Sequence, residues 1–273
     1  MIYAVVIPTN YKSPAMACFQ EVADATAGVL RDLGHGAFVQ YGAPPAPHEA
    51  RTILFAPHLA LFFGFEIPEG SICYQMEQIG APYFTPRVVR MLNEHELWDY
   101  SAVNAARYGE VGLKAPKVVP IAWHAAFERF KRGGVEKDLD VVHVGGLSER
   151  RSRILTELQR RRINVQHVEG VYGFERDRIL ARAKLVLNVH YYEQASIFES
   201  TRVGYCAANG VPVLSELCDG GEGEGLAEFV KYDDLADRAV ELLSAPDALQ
   251  RLTTSARHTF RKTSFLNNVL QAL

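Results

Sequence analysis

The residues best suited to chemistry lie between Lys184 and Glu216, in the segment KLVLNVHYYEQASIFESTRVGYCAANGVPVLSE. An apolar run, Leu185-Val186-Leu187, brings Asn188, His190 and Tyr191 to the end of a strand. A helical stretch follows, with Glu199 and Arg202 in its first turns and Gly210 at its close. A second buried strand then runs from Val211 to Leu214 and is closed by Ser215 and Glu216. In an open α/β sheet, ligands sit outside the carboxyl ends of the strands. A carboxylate and a guanidinium three residues apart share one helix face, so Glu199 and Arg202 can reach the same ligand. The guanidinium suits a diphosphate, and the carboxylate accepts from paired sugar or ribose hydroxyls. Asn188 and His190 are placed to hydrogen-bond a bound ligand, with His190 the candidate catalytic group; a satisfied structural histidine is the alternative at that position. Tyr191 and Tyr192 read as packing residues.

Two other βα junctions in this half could meet the same ligand. Val141-Val142-His143-Val144 runs into Gly145-Gly146 and then a helix start with Ser148, Arg150 and Arg151. Glycine lets the backbone approach a ligand closely, and the amide-rich start of a helix favours a phosphate. Arg150 or Arg151 could neutralise a diphosphate with forked hydrogen bonds. An ordinary turn with surface arginines would look the same. One unit further on, Gly170-Val171-Tyr172-Gly173 follows a strand and precedes a helix, which also fits an ordinary turn with a capping acidic group.

The Lys184–Glu216 block resembles the donor-binding half of group 1 glycosyltransferases of the GT-B fold, nearest to the spore-coat-type branch. The family pattern Arg-x-x-Glu-x-x-x-x-Gly is matched by Arg202-Val-Gly-Tyr205-Cys-Ala-Ala-Asn-Gly210, followed by Val211-Pro212-Val213. The departure is Tyr205, where the family has the glutamate that holds the donor ribose. The resemblance implies an α/β, GT-B-like chain of two Rossmann-like domains facing each other across a cleft. It further implies transfer of a sugar from a nucleotide-sugar donor, with retention of configuration. Gly145, Gly146, Arg150, Arg151, Tyr172, Gly173, Asn188, Glu199 and Arg202 would bind the donor, Tyr172 and Gly173 lying against the base. The acceptor would be a saccharide, a lipid-linked sugar or a protein.

In the first half, Ala56-Pro57-His58 and Tyr74-Gln75-Met76-Glu77-Gln78 both follow apparent strands. His58 or Glu77 could bind or deprotonate an acceptor hydroxyl. Asp99 is a weaker third choice, and His95 reads as part of a solvated helix face. The nearest approach to an Asp-x-Asp metal–diphosphate motif, Asp138-Leu139-Asp140, precedes its strand instead of following it. No metal or cofactor is therefore expected, with arginines and helix dipoles in the place of a divalent ion. Gly-x-x-x-x-Gly-Lys-Ser/Thr and Gly-x-Ser-x-Gly motifs do not occur.

The positioning elements follow from periodicity. The 273 residues are enough for two ordinary domains. With 48% hydrophobic and 22% charged residues the composition is that of a globular protein, and a formal charge of −3 gives no sign of a nucleic-acid surface. Cys18, Cys73, Cys206 and Cys218 have no paired spacing, which argues against a disulfide framework or zinc site. The start, MIYAVVIPTNYKS, lacks a signal-peptide pattern, and no apolar run is long enough to span a bilayer. A cytoplasmic protein, or one peripheral at the inner membrane surface, is expected.

Short apolar strands alternate with helices throughout, which predicts parallel sheets covered on both faces. Strands are expected at 2–7, 37–40, 52–56, 71–75, 98–100, 141–144, 164–168, 185–189 and 211–214. Helices are expected at 14–33, 82–97, 104–108, 149–161, 175–182, from about 198, and at 235–243, with one or two more from 246 to 273. Pro8-Thr9-Asn10 reads as a loop and Gly220 to Gly225 as a mobile one. The boundary falls near Pro116–Ile121, giving an acceptor-side domain over 1–117 and a donor-binding domain over 118–273, whose terminal helices either return to the first domain, as the resemblance implies, or cap their own. Two rival functions stand beside glycosyl transfer: a glycosyltransferase-like module that binds nucleotide or sugar without turnover, and a sugar-nucleotide epimerase.

Overall fold

The computed structural model describes residues 1–9, 14–194 and 196–273; Asn10 of the expected loop lies outside the described residues, as does Ala195. The chain divides into one unit of residues 1–126 and 264–273 and a second of residues 127–263.

In the first unit, β1 (Ile2–Ile7), β2 (Gly36–Tyr41), β3 (Arg51–Phe55), β4 (Ile72–Gln75), β5 (Glu96–Asp99) and β6 (Lys117–Val118) form a sheet in the order β2-β1-β3-β4-β5-β6. Every pairing is parallel. Ala4 to Ile7 and Ile53 to Phe55 are wholly buried, as continuous apolar strands must be when helices cover both faces. The helices are α1 (Gln20–Asp32), α2 (His58–Phe63), α3 (Pro86–Asn93) and α4 (Ala102–Ala106). Thr85 caps α3 by accepting from the Val88 amide, and Pro86 occupies the first position, where its missing N–H costs nothing.

The helix expected over 82–97 therefore begins later and ends at Asn93. Leu97, Trp98 and Asp99 are drawn into β5, which pairs with β4 from Ile72↔Glu96 to Gln75↔Asp99. Tertiary pairing overrides the helical pattern of this stretch, and His95 is not on a helix but in the turn before β5. Asp99 is wholly buried. It accepts from the Ser101 amide at 2.8 Å, from Asn104 Nδ2 at 2.7 Å and from the Tyr108 hydroxyl at 2.7 Å. Its oxygens are committed to structure, which corrects its candidacy as an acceptor-side group.

In the second unit, β7 (Leu139–Val144), β8 (Val165–Val168), β9 (Ala183–Asn188), β10 (Val213–Glu216) and β11 (Glu228–Val230) pair in parallel, ordered β11-β10-β9-β7-β8. The helices are α5 (Glu149–Arg160), α6 (Gly173–Arg182), α7 (Ser200–Ala208), α8 (Leu235–Leu243) and α9 (Pro246–Arg261). Strand β11 was not expected; it is only three residues long. The stretch expected to be a mobile loop at 220–225 begins with a 3-10 turn over Asp219–Gly221. The last helix, α10 (Phe265–Ala272), belongs to the first unit: Phe265 N donates to Trp123 O at 3.1 Å and Asn268 Nδ2 to Pro120 O at 2.8 Å.

The second unit's core joins Val141, Leu185, Leu187 and Leu214 of the sheet to Ile154, Leu155 and Leu158 of α5 and Leu235, Ala239 and Leu242 of α8. The chain enters this sheet at β7, steps outward to β8, then crosses to the other side for β9. The carboxyl ends of β7 and β9 thus flank the point where the strand order reverses, the place where open α/β sheets hold ligands.

Asp99→Ala should lower the unfolding free energy by about 3 kcal/mol, because three buried donors lose their acceptor; denaturant titration would measure it.

Candidate functional site

Strand β7 delivers Gly145 and Gly146 to this reversal point, and β9 delivers Asn188 and His190. Ser148 caps α5 by accepting from the Arg151 amide, so the helix starts immediately beyond the glycine turn. Gly145 has φ of 124°, a conformation open to glycine and costly for other residues. A Cβ there would lie 3.1 Å from Nη2 of Arg202 and 3.4 Å from Nη1 of Arg151. The turn is bare because two guanidinium groups press against it.

Those guanidiniums are fixed by the sheet ends. Arg151 has a nearly buried side chain; its Nε donates to Val189 O at 2.8 Å and its Nη1 to Gly146 O at 2.8 Å. Arg202 on α7 donates through Nη1 to Asn188 Oδ1 at 2.5 Å, and Asn188 Nδ2 donates in turn to Ser215 Oγ at 2.9 Å. Glu199, the residue preceding α7, stands 3.4 Å from Nη2 of Arg202 and 3.8 Å from Nη2 of Arg151. Burial raises the Glu199 carboxyl, but the Arg202 and Arg151 guanidiniums outweigh it and hold it below its ordinary value. Burial, with Arg202 alongside, lowers Arg151 to about 10, which leaves it charged at neutral pH. Two cations against one anion give this cluster a net charge of +1, beside the amides of a helix start. An anion fits there.

Not every expected contact is formed. Arg150 is engaged elsewhere: Nη1 and Nη2 donate to Glu216 Oε2 and Oε1 at 2.9 and 2.6 Å. Its guanidinium lies 4.1 Å from the centre of the Tyr232 ring. The Arg150–Glu216 fork corrects the expectation that Arg150 stands open to a diphosphate, since its charge is already matched. Glu216 Oε2 also accepts from the His190 amide at 3.1 Å, so the fork holds the end of β10 to the second residue beyond β9.

His190 is buried, and its Nε2 lies 3.0 Å from Leu217 O. A carbonyl only accepts, so Nε2 carries a proton and donates it there. That Nδ1 has no hydrogen-bond partner, nor has the buried Ser200 Oγ at the start of α7. Tyr191 packs as expected, its ring centre 4.7 Å from that of Tyr192. It is partly exposed, and the Arg151 guanidinium lies 5.1 Å from its ring centre.

Beneath the glycine turn, His143 is fully buried, its Nδ1 3.2 Å from His167 Nδ1 and its Nε2 unpartnered. Burial, then Arg202 and Arg151, push its pKa down to about 2. At the carboxyl end of β8 stand Glu169 and then Tyr172 and Gly173, which open α6. Tyr205, on α7, is buried and donates to Asp177 Oδ1 at 2.7 Å.

In the first unit, His58 opens α2 after β3 and Glu77 follows β4. Burial lowers His58 to about 4, so its imidazole is neutral and a poor proton acceptor at pH 7. Its Nδ1 has no partner, and its ring stacks on Tyr83 at 4.9 Å. Glu77 O accepts from Asn104 Nδ2 at 3.0 Å.

Sequence alone pointed to Gly145, Gly146, Arg151, Asn188, His190, Glu199 and Arg202, which the fold brings together. It gave no role to Glu216, Glu169, His143 or Ser200. Two of these carried a signal, being carboxylates that close apolar strands of a parallel sheet. Among the described residues, no group of three or more His, Cys, Asp or Glu side chains could hold a metal ion, and no helix is long and apolar enough to cross a membrane.

No protein-family model matches this chain. It is 26% identical over 205 residues to an uncharacterized protein of Acanthamoeba polyphaga mimivirus, a match spanning 70% of this chain and 65% of that one. A second uncharacterized protein of the same virus is 34% identical over 114 residues, 39% of this chain and 15% of its own length. The chain thus spans less than two thirds of the length of these relatives.

Among solved structures, a sucrose-phosphate synthase from Thermosynechococcus elongatus superposes with a TM-score of 0.64 at 13% identity, covering 99% of this chain and 97% of that one. AviGT4, a glycosyltransferase involved in avilamycin A biosynthesis, gives 0.57 at 16% identity, over 100% and 96% of the two chains. A DNA-modifying β-glucosyltransferase, solved with and without its substrate uridine diphosphoglucose, gives 0.53 at 12%, over 100% and 99%. The fold is GT-B-like, with two parallel-sheet α/β units.

Two buried histidines make stability sensitive to acid. His143 and His58 are lowered from an ordinary 6.5 to about 2 and about 4. The unfolded chain therefore binds protons below pH 6.5 that the native chain refuses. Stability is unaffected above that pH and should fall by up to about 1.4 kcal/mol per pH unit per histidine between pH 6.5 and 4. His143→Phe should make that acid limb shallower in denaturant titrations run across this range.

Proposed function

We propose that this chain is a glycosyltransferase that binds a nucleotide-sugar through the second unit and transfers the sugar to a hydroxyl acceptor. One observation supports this reading above the others: Arg202 and Arg151 converge on the Gly145–Gly146 turn at the start of α5, leaving a net positive site at a strand-order reversal. A pyrophosphate there would meet helix amides and the Arg202 guanidinium. Departure of the nucleoside diphosphate builds negative charge, so preorganised donors at that place stabilise the transition state. These fixed cations do the work that a divalent ion does elsewhere, and transfer is proposed to be metal-independent.

His190, with Nε2–H committed to Leu217 O, has its unpartnered Nδ1 left for a sugar hydroxyl. Asn188 orients Arg202, and Tyr172 stacks on the base. On the acceptor side, Glu77 is the candidate base, with the neutral His58 limited to hydrogen bonding. Retention of configuration is proposed with the family resemblance of the Arg202–Gly210 segment, and the same resemblance supports a proposed kinship with the group 1, spore-coat-type branch. The proposed domains are an acceptor-side region over 1–117 and a donor-binding region over 118–273, the last helix of which returns to the first unit. The acceptor is a saccharide, a lipid-linked sugar or a protein, and the site of action is the cytoplasm or its membrane surface.

A thermal-shift screen across UDP-, GDP-, CMP- and dTDP-sugars tests the donor site. A ligand that binds only the native state stabilises it by RT ln(1 + [L]/Kd), about 2.7 kcal/mol at a hundred times Kd. At least one of these sugars should raise the melting temperature of the wild-type chain, and Arg202→Ala should abolish that shift while leaving the unliganded Tm within a few degrees. An undiminished shift in the variant would remove Arg202 from the site. Release of free nucleoside diphosphate on prolonged incubation would separate a transferase from a binding module without turnover. An altered sugar nucleotide formed without any acceptor would mark an epimerase instead.

A further inference from the structure

Tyr205 stands where the resembled family carries its ribose-binding glutamate, and the fold shows that it does not take over that task. Its hydroxyl is spent on Asp177 Oδ1, which also accepts from Arg176 Nη2 at 2.9 Å, and the Arg176 guanidinium covers the Tyr205 ring at 4.3 Å. All three side chains are buried. Glu199 is shared between Arg202 and Arg151, and Glu216 is taken by Arg150.

A different carboxylate is in place. Strands β7 and β8 run in register, Val144 opposite Val168, and Gly145 N donates to Val168 O at 2.9 Å. The next residue, Glu169, therefore emerges beside the glycine turn, with Oε1 3.3 Å from the position a Cβ on Gly146 would occupy. Cε2 of Tyr191 lies 3.6 Å from the same position. The Glu169 side chain is 59% exposed and loosely held, 3.5 Å from His167 Nε2. In dinucleotide-binding βαβ units, a carboxylate at the end of the second strand accepts from the ribose hydroxyls while the pyrophosphate lies on the preceding glycine turn. Glu169 occupies that place. Glu169 and then Tyr172 both follow β8, the strand beside the glycine turn, so their order in the chain matches that of ribose and base.

We infer that Glu169 binds the ribose diol of the nucleoside diphosphate and selects ribonucleotides over 2′-deoxyribonucleotides. This rests on the nucleotide-sugar reading of the site. Calorimetric titration of the full chain with UDP, GDP, dUDP, dGDP and inorganic pyrophosphate tests it. The wild type should bind at least one ribonucleotide about ten-fold more tightly than its 2′-deoxy counterpart, as expected for a hydrogen bond to a charged acceptor. Glu169→Ala, an exposed position, should weaken the ribonucleotide about ten-fold to the deoxy level and leave pyrophosphate affinity unchanged or slightly higher. Tyr205→Phe should keep the full preference. A Glu169→Ala variant that still prefers the ribonucleotide, or that loses pyrophosphate in parallel, overturns the assignment to Glu169 while the nucleotide site stands. A wild type that binds neither pyrophosphate nor any of the diphosphates overturns the nucleotide reading itself.

Discussion

The buried guanidinium of Arg151 is the constraint around which the second unit's strand ends are arranged. A charge removed from water must be paired and hydrogen-bonded or it destabilises the fold by several kcal/mol. Arg151 meets that demand with the carbonyls of Val189 and Gly146 and the carboxylate of Glu199. In doing so it ties the end of β9, the turn after β7 and the start of α7 to one point. The position of Arg202 follows, because Glu199 and Asn188 hold its two amino groups. A cation cluster this constrained is set before any ligand arrives, and preorganisation of that kind lowers the entropy lost on binding.

A second fork, Arg150 with Glu216, works in parallel but faces a different task. Its charges cancel, and Glu216 spends the same oxygen on the His190 amide. Two adjacent arginines on α5 thus have opposite fates: one balances a strand-end glutamate, while the other contributes to a net positive site. Tyr232, through its hydroxyl on Arg150 O and its ring under the guanidinium, keeps the first of them in place.

The first unit shows how burial alone can reassign a residue. Asp99 and His58 both sit at strand ends, where sequence suggests chemistry. Asp99 is surrounded by donors and becomes the anchor of the segment from Ser101 to Tyr108. His58 has no compensating carboxylate, so desolvation holds it neutral. The same local placement leads to a structural acid in one case and an uncharged imidazole in the other.

The alternation of apolar strands with helices, and hence two parallel sheets, was legible in the sequence because parallel strands are buried on both faces and read as unbroken apolar runs. The Gly145-Gly146 turn and the Glu199–Arg202 spacing were legible for the same kind of reason, since backbone freedom and helical period are local properties. Pairing was not. That β5 would claim Leu97 from a helical pattern, that Arg150 would be taken by a glutamate far along the chain, and that Tyr205 would close onto Asp177 all depend on strand order and on which charges burial forces together. Such long-range contacts leave no periodic trace, so the tertiary structure alone decided which of the candidate side chains remain available to a ligand.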